Sequence, residues 1–512
     1  MSARKDQPMT LLLGIDLGTS SVKSILFDPH QAKIVATAAQ EYPIDKPRPD
    51  RAEQNPEAWW QATVETVRRV TTAADRSRIA GISFSGQMHG ALLLDAQGQP
   101  LHPAIIWADQ RSAEACQTLI ETVGAERYAA VAGTLPAAGF MGPTLVWLAH
   151  HQPDLLDRTH KVIFPKDYLR LRLTGHIATD VSDAAGSGVF DIRRQRWADS
   201  ILDKVGLPVD LFPELLLSTA VAGSLTQPAA EALGLPAGIP VVAGCADQPA
   251  QAIGNGLIRP GRASVTTGSG GQVFTPIQIN PTSGQTDPRL HVFNHAVPGL
   301  WYVLGAILSA GLSLRWLRDL TGLPQSGQAY ATLSAEASTV PAGAEGLIFL
   351  PYLSGERTPH MDPLARGGFI GLTHFHQRGH LARAVMEGVA MALRQALELS
   401  LSLGGQVETI IAAGGGAESD VWRQIQADVL GLPMQQSLLR EQAGVGAALL
   451  AGVGAGFYTD LDEACAQVVQ YGPPTHPDPI RHKQYNQLYE RFAQLYPRLQ
   501  DDFHWLAKFQ TA

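Results

Sequence analysis

Residues 11–27 read LLLGIDLGTSSVKSILF, and this stretch decides how the rest of the chain is interpreted. An apolar run ends near one carboxylate, Asp16, and a turn of glycine and hydroxyl residues leads into a second apolar run. This pattern predicts two strands joined by a tight turn. Because Gly18 has no β-carbon, the backbone N–H groups of the turn can converge on an anion, and Thr19 and Ser20 add hydroxyl donors. Asp16 stands where Mg²⁺ would lie beside phosphates. The stretch predicts a phosphate-binding hairpin; a plain hairpin with a polar turn is the alternative.

A second stretch far downstream has the same form. Residues 263–274 read ASVTTGSGGQVF, again a strand-like entry, a Gly/Ser turn and a strand-like exit, but without the aspartate. Two such hairpins in two halves of one chain suggest a duplicated scaffold that closes on one polyphosphate. Since the chain contains 50 glycines, two unrelated glycine-rich turns remain the alternative.

Length and composition limit the class of protein. A chain of 512 residues is long enough for two or three domains, and 45% apolar with 17% charged residues is typical of a soluble globular protein. The net charge of −8, without any basic run, argues against a nucleic-acid partner. The three cysteines are widely spaced, which predicts a reducing, cytoplasmic location. The uncharged run 443–457 is shorter than the roughly 20 residues that a membrane span needs, and it predicts a buried helix packed closely on a sheet.

Strand-like and helix-like segments alternate along the chain, which predicts an α/β protein of two similar halves. We place the boundary between them near residues 254–260, giving domains 1–254 and 255–512, the last ~40 residues forming a helical tail. Residues 79–85 and 104–107 are predicted as buried strands, each followed by polar residues. Residues 165–191 are predicted to mix short strands and turns.

The distribution of lysines and glycines indicates how phosphate would be held. No lysine occurs between Lys204 and Lys483, so a polyphosphate bound by the second half must rely on backbone N–H groups, hydroxyls, arginine or Mg²⁺. Glycines at 268–271 and 414–416 suit that mode, because they permit close approach of the backbone. Residues 412–416, followed by a capped helix, could equally hold a flat adenine. The chain has neither a GxxxxGK[ST] motif nor a GxGxxG motif that opens a helix after a strand.

Asp247 is the carboxylate that we select as a general base. It follows the apolar run 241–246, where burial and a fixed position are expected, and phosphoryl transfer to an alcohol needs an acceptor for the hydroxyl proton. The alternative is a helix-capping aspartate, because Pro249 marks the first turn of a helix; one residue can do both. His89, after the strand 79–85, is either a ligand contact or a hydrogen-bonded loop residue.

These motifs together resemble the FGGY carbohydrate kinases of the sugar kinase, heat-shock and actin superfamily. The resemblance covers nearly the whole chain, from about residue 11 to residue 451, and as a set the motifs are highly specific. They are GIDLGTS at 14–20, GQMHG at 86–90, WADQR at 107–111, AD at 246–247, TGSG at 267–270, PYLSGERTP at 351–359 and GGGAES at 414–419. Within the family, GQMHG and PYLSGERTP resemble the xylulose kinases.

The resemblance implies two ribonuclease-H-like domains on either side of a cleft that holds ATP, Mg²⁺ and a sugar. Asp16 would organise Mg²⁺, through water, and Asp247 would take the proton from the terminal hydroxyl of the sugar. The implied sugar contacts are Gln87, Met88, His89, Asp247 and Gln248. The implied nucleotide contacts are Gly18, Thr19, Ser20, Gly268, Ser269, Gly270, Gly311, Gly414, Gly415, Gly416 and Ser419.

The resulting hypothesis is ATP-dependent phosphorylation of D-xylulose at its terminal hydroxyl. Alternatives are a kinase of another ketose, polyol or sugar acid, such as ribulose or gluconate, and an actin-like or chaperone-like ATPase switch. The sequence departs from the family pattern at Gln248, where asparagine is usual, at Thr144, where lysine is usual, and in the second hairpin, where Leu-Gly-Thr-Ser is usual. The expected partners are the sugar and ATP, with no nucleic acid and no membrane. A homodimer is left open, because the sequence does not reveal the oligomeric state.

Overall fold

The computed structural model describes residues 10–278 and 287–509. Residues 1–9 of the first predicted domain, and residues 279–286 and 510–512 of the second, lie outside the described residues. Among the helices of the described ranges, none combines the length and the hydropathy that crossing a bilayer requires.

The first half contains fifteen strands and ten α-helices within the described residues. The strands are β1 Leu11–Leu17, β2 Ser21–Asp28, β3 Lys33–Glu41, β4 Glu53–Gln54, β5 Ile79–Gly86, β6 Leu92–Leu94, β7 Ala104–Ile105, β8 Lys161–Ile163, β9 Ala178–Asp180, β10 Phe190–Asp191, β11 Arg196–Trp197, β12 Glu214–Leu216, β13 Val221–Ser224, β14 Pro240–Val242 and β15 Cys245–Ala246. The helices are α1 Pro56–Val70, α2 Ala113–Val123, α3 Ala125–Ala132, α4 Met141–His151, α5 Pro153–Asp157, α6 Pro165–Thr174, α7 Val181–Ala185, α8 Asp199–Val205, α9 Gln227–Leu233 and α10 Asp247–Gly254.

The second half has fewer strands and longer helices among its described residues. The strands are β16 Gly261–Thr267, β17 Gly271–Ile277, β18 His291–Asn294, β19 Trp301–Ile307, β20 Ile348–Leu350, β21 Gly368–Ile370, β22 Val407–Ala413 and β23 Met434–Gln436. The helices are α11 Gly311–Leu320, α12 Gly327–Ser338, α13 Arg378–Ser402, α14 Asp420–Leu430, α15 Gln442–Gly454, α16 Leu461–Val468 and α17 Pro479–Ala507.

The two central sheets repeat one topology. In the first, the strand order is β3-β2-β1-β5-β14, with β13 at the edge beyond β14 and β15 also paired to β5; in the second it is β19-β17-β16-β22-β23, with β18 beyond β19. In each sheet the hairpin strands are antiparallel, and the first hairpin strand pairs in parallel with the next strand on its other side. The prediction of two similar α/β halves, each opened by a glycine-containing hairpin, is confirmed.

Strand β1 is buried on both faces, which explains its continuous apolar sequence. Leu11 and Leu13 contact the core that α1 covers, and Leu12 contacts the core on the opposite face. Helix α1 begins as its sequence indicates: the side chain of Asn55 accepts a hydrogen bond from the backbone N–H of Glu57.

Helix α15 comes from the second half of the sequence but packs on the sheet of the first half. It is rich in glycine and alanine, as the uncharged run 443–457 predicted, and its backbone lies directly on β1. A β-carbon placed at Gly14 would lie 2.2 Å from the carbonyl oxygen of Gly444. The same helix crosses α10 so closely that a β-carbon at Gly446 would lie 2.0 Å from the carbonyl oxygen of Ala250. Such approaches exist only where no side chain intervenes.

Two sequence expectations about secondary structure are wrong. Residues 165–174 form helix α6, because Pro165 occupies its first turn and Asp167 is near the backbone N–H of Phe164. Its sequence lacks a clear apolar stripe, because the helix buries Lys166, Asp167 and Arg170 beside apolar side chains. The predicted strand 104–107 is only the two residues of β7, which pair with β4 outside the central sheet.

Candidate active site

Two half-buried carboxylates lie near each other at the ends of the first sheet's central strands. Asp16 lies near the end of β1, beside Ser85 of β5 and Lys23 of β2, and Asp247 begins α10 directly after β15. Burial raises the pKa of Asp16. Burial, and then repulsion by Asp16, raise the pKa of Asp247 to about 7, against backbone N–H groups at the start of α10. Asp247 therefore lies at a helix start and has a pKa suited to accepting a proton near neutral pH.

The raised pKa of Asp247 predicts a pH-dependent cost to stability. A carboxyl group with a folded-state pKa near 7 and an ordinary value of 3.8 stabilises the fold below about pH 4, and this contribution is lost as the pH rises through 7. The Asp247→Asn variant does not titrate at this position. Between pH 5 and pH 8 we expect its free energy of unfolding to gain about 2 kcal/mol on the wild type. Denaturant unfolding at both pH values, without nucleotide and with chelator, measures this. The same change in the free energy of unfolding between pH 5 and pH 8 in both proteins would contradict it.

His89 lies directly beyond β5 in a left-handed backbone conformation with φ of 74°. Its Nδ1 is 2.7 Å from the carbonyl oxygen of Gly186, so Nδ1–H is the donor and Nε2 is left as an acceptor. Its ring stacks on Phe140, with 3.8 Å between the ring centroids and 5° between the planes. Burial lowers the pKa of His89 to about 4, so the ring is neutral near pH 7. This fixed, neutral imidazole can accept a hydrogen bond from a hydroxyl group.

The second half contributes the aromatic side chains of Phe293 and Tyr302 to the same site, and sequence reasoning missed them. We call these two residues the aromatic wall. The hydroxyl of Tyr302, on β19, lies 3.8 Å from the sulfur of Met88, which joins the two halves of the chain at this point. Phe293, on β18, lies 6.0 Å from His89 between ring centroids and 5.9 Å from Tyr302. Burial, and then the charge of Asp247, raise the pKa of Tyr302. Nothing in the sequence marked these aromatic residues, because they occupy ordinary strand positions.

The two glutamines of the predicted sugar site lie in different environments. Gln87 is buried, and its side-chain N–H donates to the side-chain oxygen of Gln54 at 2.8 Å. Gln248 is half-buried and follows Asp247 in the first turn of α10. Thr144, where the family usually has lysine, is buried within α4. The sugar contacts of Gln87 and Gln248 stay predictions.

A cavity of about 770 Å³ lies on the second half of the chain. Of the predicted nucleotide contacts, Gly268, Ser269, Gly311, Gly415, Gly416 and Ser419 line it. Gly270 lies in the same hairpin turn, where its carbonyl oxygen accepts the N–H of Gly268 at 3.0 Å. Arg315 also lines the cavity and donates to the hydroxyl of Ser269 at 2.8 Å, which supplies the cation that lysine does not. The site thus combines backbone, hydroxyl and guanidinium donors, as a phosphate-bearing ligand requires.

The glycines after β22 keep this cavity open by packing against the second hairpin. Gly414 has φ of 77°, and a β-carbon there would lie 2.7 Å from the carbonyl oxygen of Thr267. A β-carbon at Gly416 would lie 2.5 Å from a methyl carbon of Thr267. Gly415 differs, because a β-carbon there would meet no atom within 4 Å. A side chain at position 415 therefore extends into open space at the cavity.

We expect the Gly415→Leu variant to fold normally and to raise the KM for the predicted nucleotide, ATP, about tenfold, equivalent to about 1.4 kcal/mol of lost binding. The added side chain would occupy space at the cavity, and its β-carbon would contact no atom of the hairpin. Initial rates at varied ATP, together with melting temperatures, measure this. The Gly416→Ala variant is the control, and we expect it to lose stability because its β-carbon collides with Thr267. Unchanged ATP kinetics in Gly415→Leu would contradict the assignment.

The first hairpin turn is held by three side chains of the first half. Trp107 donates to the hydroxyl of Thr19 at 2.9 Å, Gln54 donates to the carbonyl oxygen of Thr19 at 2.6 Å, and the hydroxyl of Tyr42 donates to the carbonyl oxygen of Gly18. Ser20 is exposed. The predicted nucleotide contacts Gly18, Thr19 and Ser20 are not among the residues that line the cavity of the second half. Their contact with phosphate stays a prediction.

Comparison with known proteins gives full-length matches. The N-terminal domain of the FGGY family of carbohydrate kinases matches residues 11–254, and the C-terminal domain of the same family matches residues 263–455. A xylulose kinase of Lactococcus lactis is 37% identical over 98% of this chain and 99% of its own length. A gluconokinase of Bacillus subtilis is 30% identical over 98% of each chain. The crystal structure of a xylulose kinase from Rhodospirillum rubrum superposes with a TM-score of 0.90 at 33% identity, covering 96% of this chain and 100% of that one.

Proposed function

Because this chain belongs to the FGGY family of carbohydrate kinases and is therefore an ATP-dependent sugar kinase, we propose that it transfers the γ-phosphoryl group of ATP to the terminal hydroxyl of D-xylulose. The product is D-xylulose 5-phosphate. The observation that carries this proposal is the position of Asp247, a half-buried carboxyl group with a pKa of about 7, whose charge acts on Tyr302 where Tyr302 and Met88 bring the two halves together.

In the proposed reaction Asp247 accepts the proton of the sugar hydroxyl while the hydroxyl oxygen bonds to the γ-phosphorus. The bond between that phosphorus and the bridging oxygen breaks, and ADP leaves. Phosphoryl transfer needs alignment and charge neutralisation more than covalent help from the protein. His89 orients the sugar by accepting a hydrogen bond at Nε2, and the aromatic wall excludes water, so that sugar rather than water receives the phosphoryl group.

The surroundings of Asp16 fit Mg²⁺. Asp16 and Asp247 repel each other, and the nearby ammonium group of Lys23 contacts Glu441. Carboxylate and hydroxyl oxygens are the ligands that Mg²⁺ prefers, and Ser85 lies beside Asp16 on the neighbouring strand. Asp16 would hold the ion, through water, and the ion when bound would neutralise phosphate charge.

The choice of D-xylulose rests on the relatives. The xylulose kinase from Lactococcus lactis is more similar to this chain than the gluconokinase from Bacillus subtilis. A sugar acid such as gluconate is the second candidate. The guanidinium of Arg357 is close enough to lower the pKa of both His89 and His291, after burial, and it would attract a carboxylate.

A coupled assay of ADP release, with initial rates over the same range of concentrations of D-xylulose, ribulose, glycerol and gluconate, tests the proposal. We expect D-xylulose to give the highest kcat/KM. A strong signal with gluconate and a weak one with D-xylulose would overturn the choice of substrate and favour the sugar acid. ADP release that no sugar stimulates would instead contradict transfer to a sugar and favour an ATPase switch.

A further inference from the structure

A buried group of charged side chains lies behind the strand that leads to Asp247. We call it the Lys166 cluster; it consists of Lys166, Asp167, Arg170, Asp180, Ser182 and Asp183, all buried. The ammonium nitrogen of Lys166 is 2.7 Å from Asp167, 2.9 Å from Asp180 and 3.1 Å from Asp183. Arg170 donates to Asp167 at 2.9 Å. Two cations and three carboxyl groups thus share one site without access to water.

Burying the charges of the Lys166 cluster costs free energy that an apolar core would not. Removing charges from water costs several kcal/mol per ion, and apolar residues of similar volume often serve stability equally well. The carboxyl group of Asp183 is adjacent to Lys166, yet neither of its oxygens makes a hydrogen bond of good geometry to a described residue. Burial raises the pKa of Asp183 well above its ordinary value. A cluster with these costs calls for a role other than packing.

The cluster holds the chain by hydrogen bonds before β15 and at its last residue, immediately before Asp247. The hydroxyl of Ser182 accepts the backbone N–H of Ala246 at 3.1 Å and donates to Asp180 at 2.6 Å. Arg170 donates to the carbonyl oxygen of Ala243 at 3.3 Å. The hydroxyl of Ser182 therefore holds the backbone of the residue that directly precedes the proposed base.

We propose that Ser182, oriented by Asp180 and Lys166, is a positioning residue that fixes the backbone of Ala246 and thereby the carboxylate of Asp247 relative to the sugar hydroxyl. This inference rests on the proposed function, in which Asp247 is the base. Misplacement of a reacting group by about 1 Å can cost on the order of 100-fold in rate. Loss of this one hydrogen bond should therefore lower kcat more than it lowers substrate binding.

The chain supplies a matched control for Ser182. The hydroxyl of Ser218 donates to the same carboxylate oxygen of Asp180, at 2.7 Å, and Ser218 is also buried. The Ser182→Ala and Ser218→Ala variants each remove one hydroxyl from the cluster, but only the first removes the acceptor for the N–H of Ala246. We expect similar small decreases in melting temperature for both. We expect kcat to fall about tenfold in Ser182→Ala, with little change in the KM values, and to stay near the wild-type value in Ser218→Ala.

The Ser182→Thr variant keeps the hydroxyl and is expected to retain most of the kcat, which also covers the case in which Ser182→Ala does not fold. Equal losses of kcat in Ser182→Ala and Ser218→Ala, or a kcat in Ser182→Thr as low as in Ser182→Ala, would overturn the positioning role. A wild-type kcat in Ser182→Ala beside an inactive Asp247→Asn would overturn this inference and leave the proposed function standing. An active Asp247→Asn would remove Asp247 as the base, and with it the premise of this inference, whereas ADP release that D-xylulose does not stimulate in the wild type would overturn the proposed function.

Discussion

Replacement of Asp247 by asparagine is expected to lower kcat by about 10³-fold, which is within the range that a general base contributes. Asparagine has nearly the shape of aspartate but cannot take the proton from the sugar hydroxyl. Binding of the sugar and of ATP should remain close to that of the wild type, because the other predicted contacts are unchanged. Initial rates with D-xylulose, and calorimetry with each substrate separately, measure the two effects.

Asp199 provides a matched control for this substitution. It is the first residue of α8, as Asp247 is of α10, and it is exposed. The Asp199→Asn variant makes the same chemical change at the start of a helix away from the site, and we expect wild-type turnover. Near-normal turnover in Asp247→Asn would remove Asp247 from the mechanism.

The Gly446→Ala variant is expected to lower the free energy of unfolding by about 3 kcal/mol, at the upper end of the usual cost of overpacking. Alanine is the better helix former by up to about 1 kcal/mol, so any loss comes from contact with α10. The new β-carbon would lie 2.0 Å from the carbonyl oxygen of Ala250 and would force α10 and α15 apart. Because α10 begins at Asp247, kcat should fall as well. Denaturant unfolding and steady-state kinetics measure both effects.

Gly327, the first residue of α12, is the control for the change in stability, because a β-carbon there would meet no atom within 4 Å. The Gly327→Ala variant should lose no stability. A Gly446→Ala variant as stable as the wild type would contradict the prediction that the close contact between α10 and α15 requires glycine at position 446.

The sequence predicted those features that depend on local backbone chemistry. The hairpin of β1 and β2 was predicted because glycine and hydroxyl residues interrupt two apolar runs, and the second hairpin because it repeats that pattern. Ser419 caps α14 by accepting the N–H of Trp422, as expected of a serine before a helix. The cavity glycines were predicted because their lack of side chains is itself the signal.

The features that depend on long-range contacts could not be predicted in the same way. Tyr302 reaches Met88 from the opposite half, and no local pattern relates two positions so far apart in the chain. The Lys166 cluster could not be predicted, because only the fold places the buried charges of α6 beside the carboxyl groups of Asp180 and Asp183. The burial of Asp183 likewise follows only from the fold around it.

The placement of α15 has a consequence for how the polypeptide leaves the ribosome. Strands β1, β2 and β5 emerge early, but the helix that covers one face of their sheet is translated only with residues 442–454. Until then the nascent first half exposes apolar surface around Leu12 and Ile25, which must be kept from other chains. The amino-terminal half expressed by itself should therefore aggregate, and its solubility should return when the remainder is supplied in the same cell.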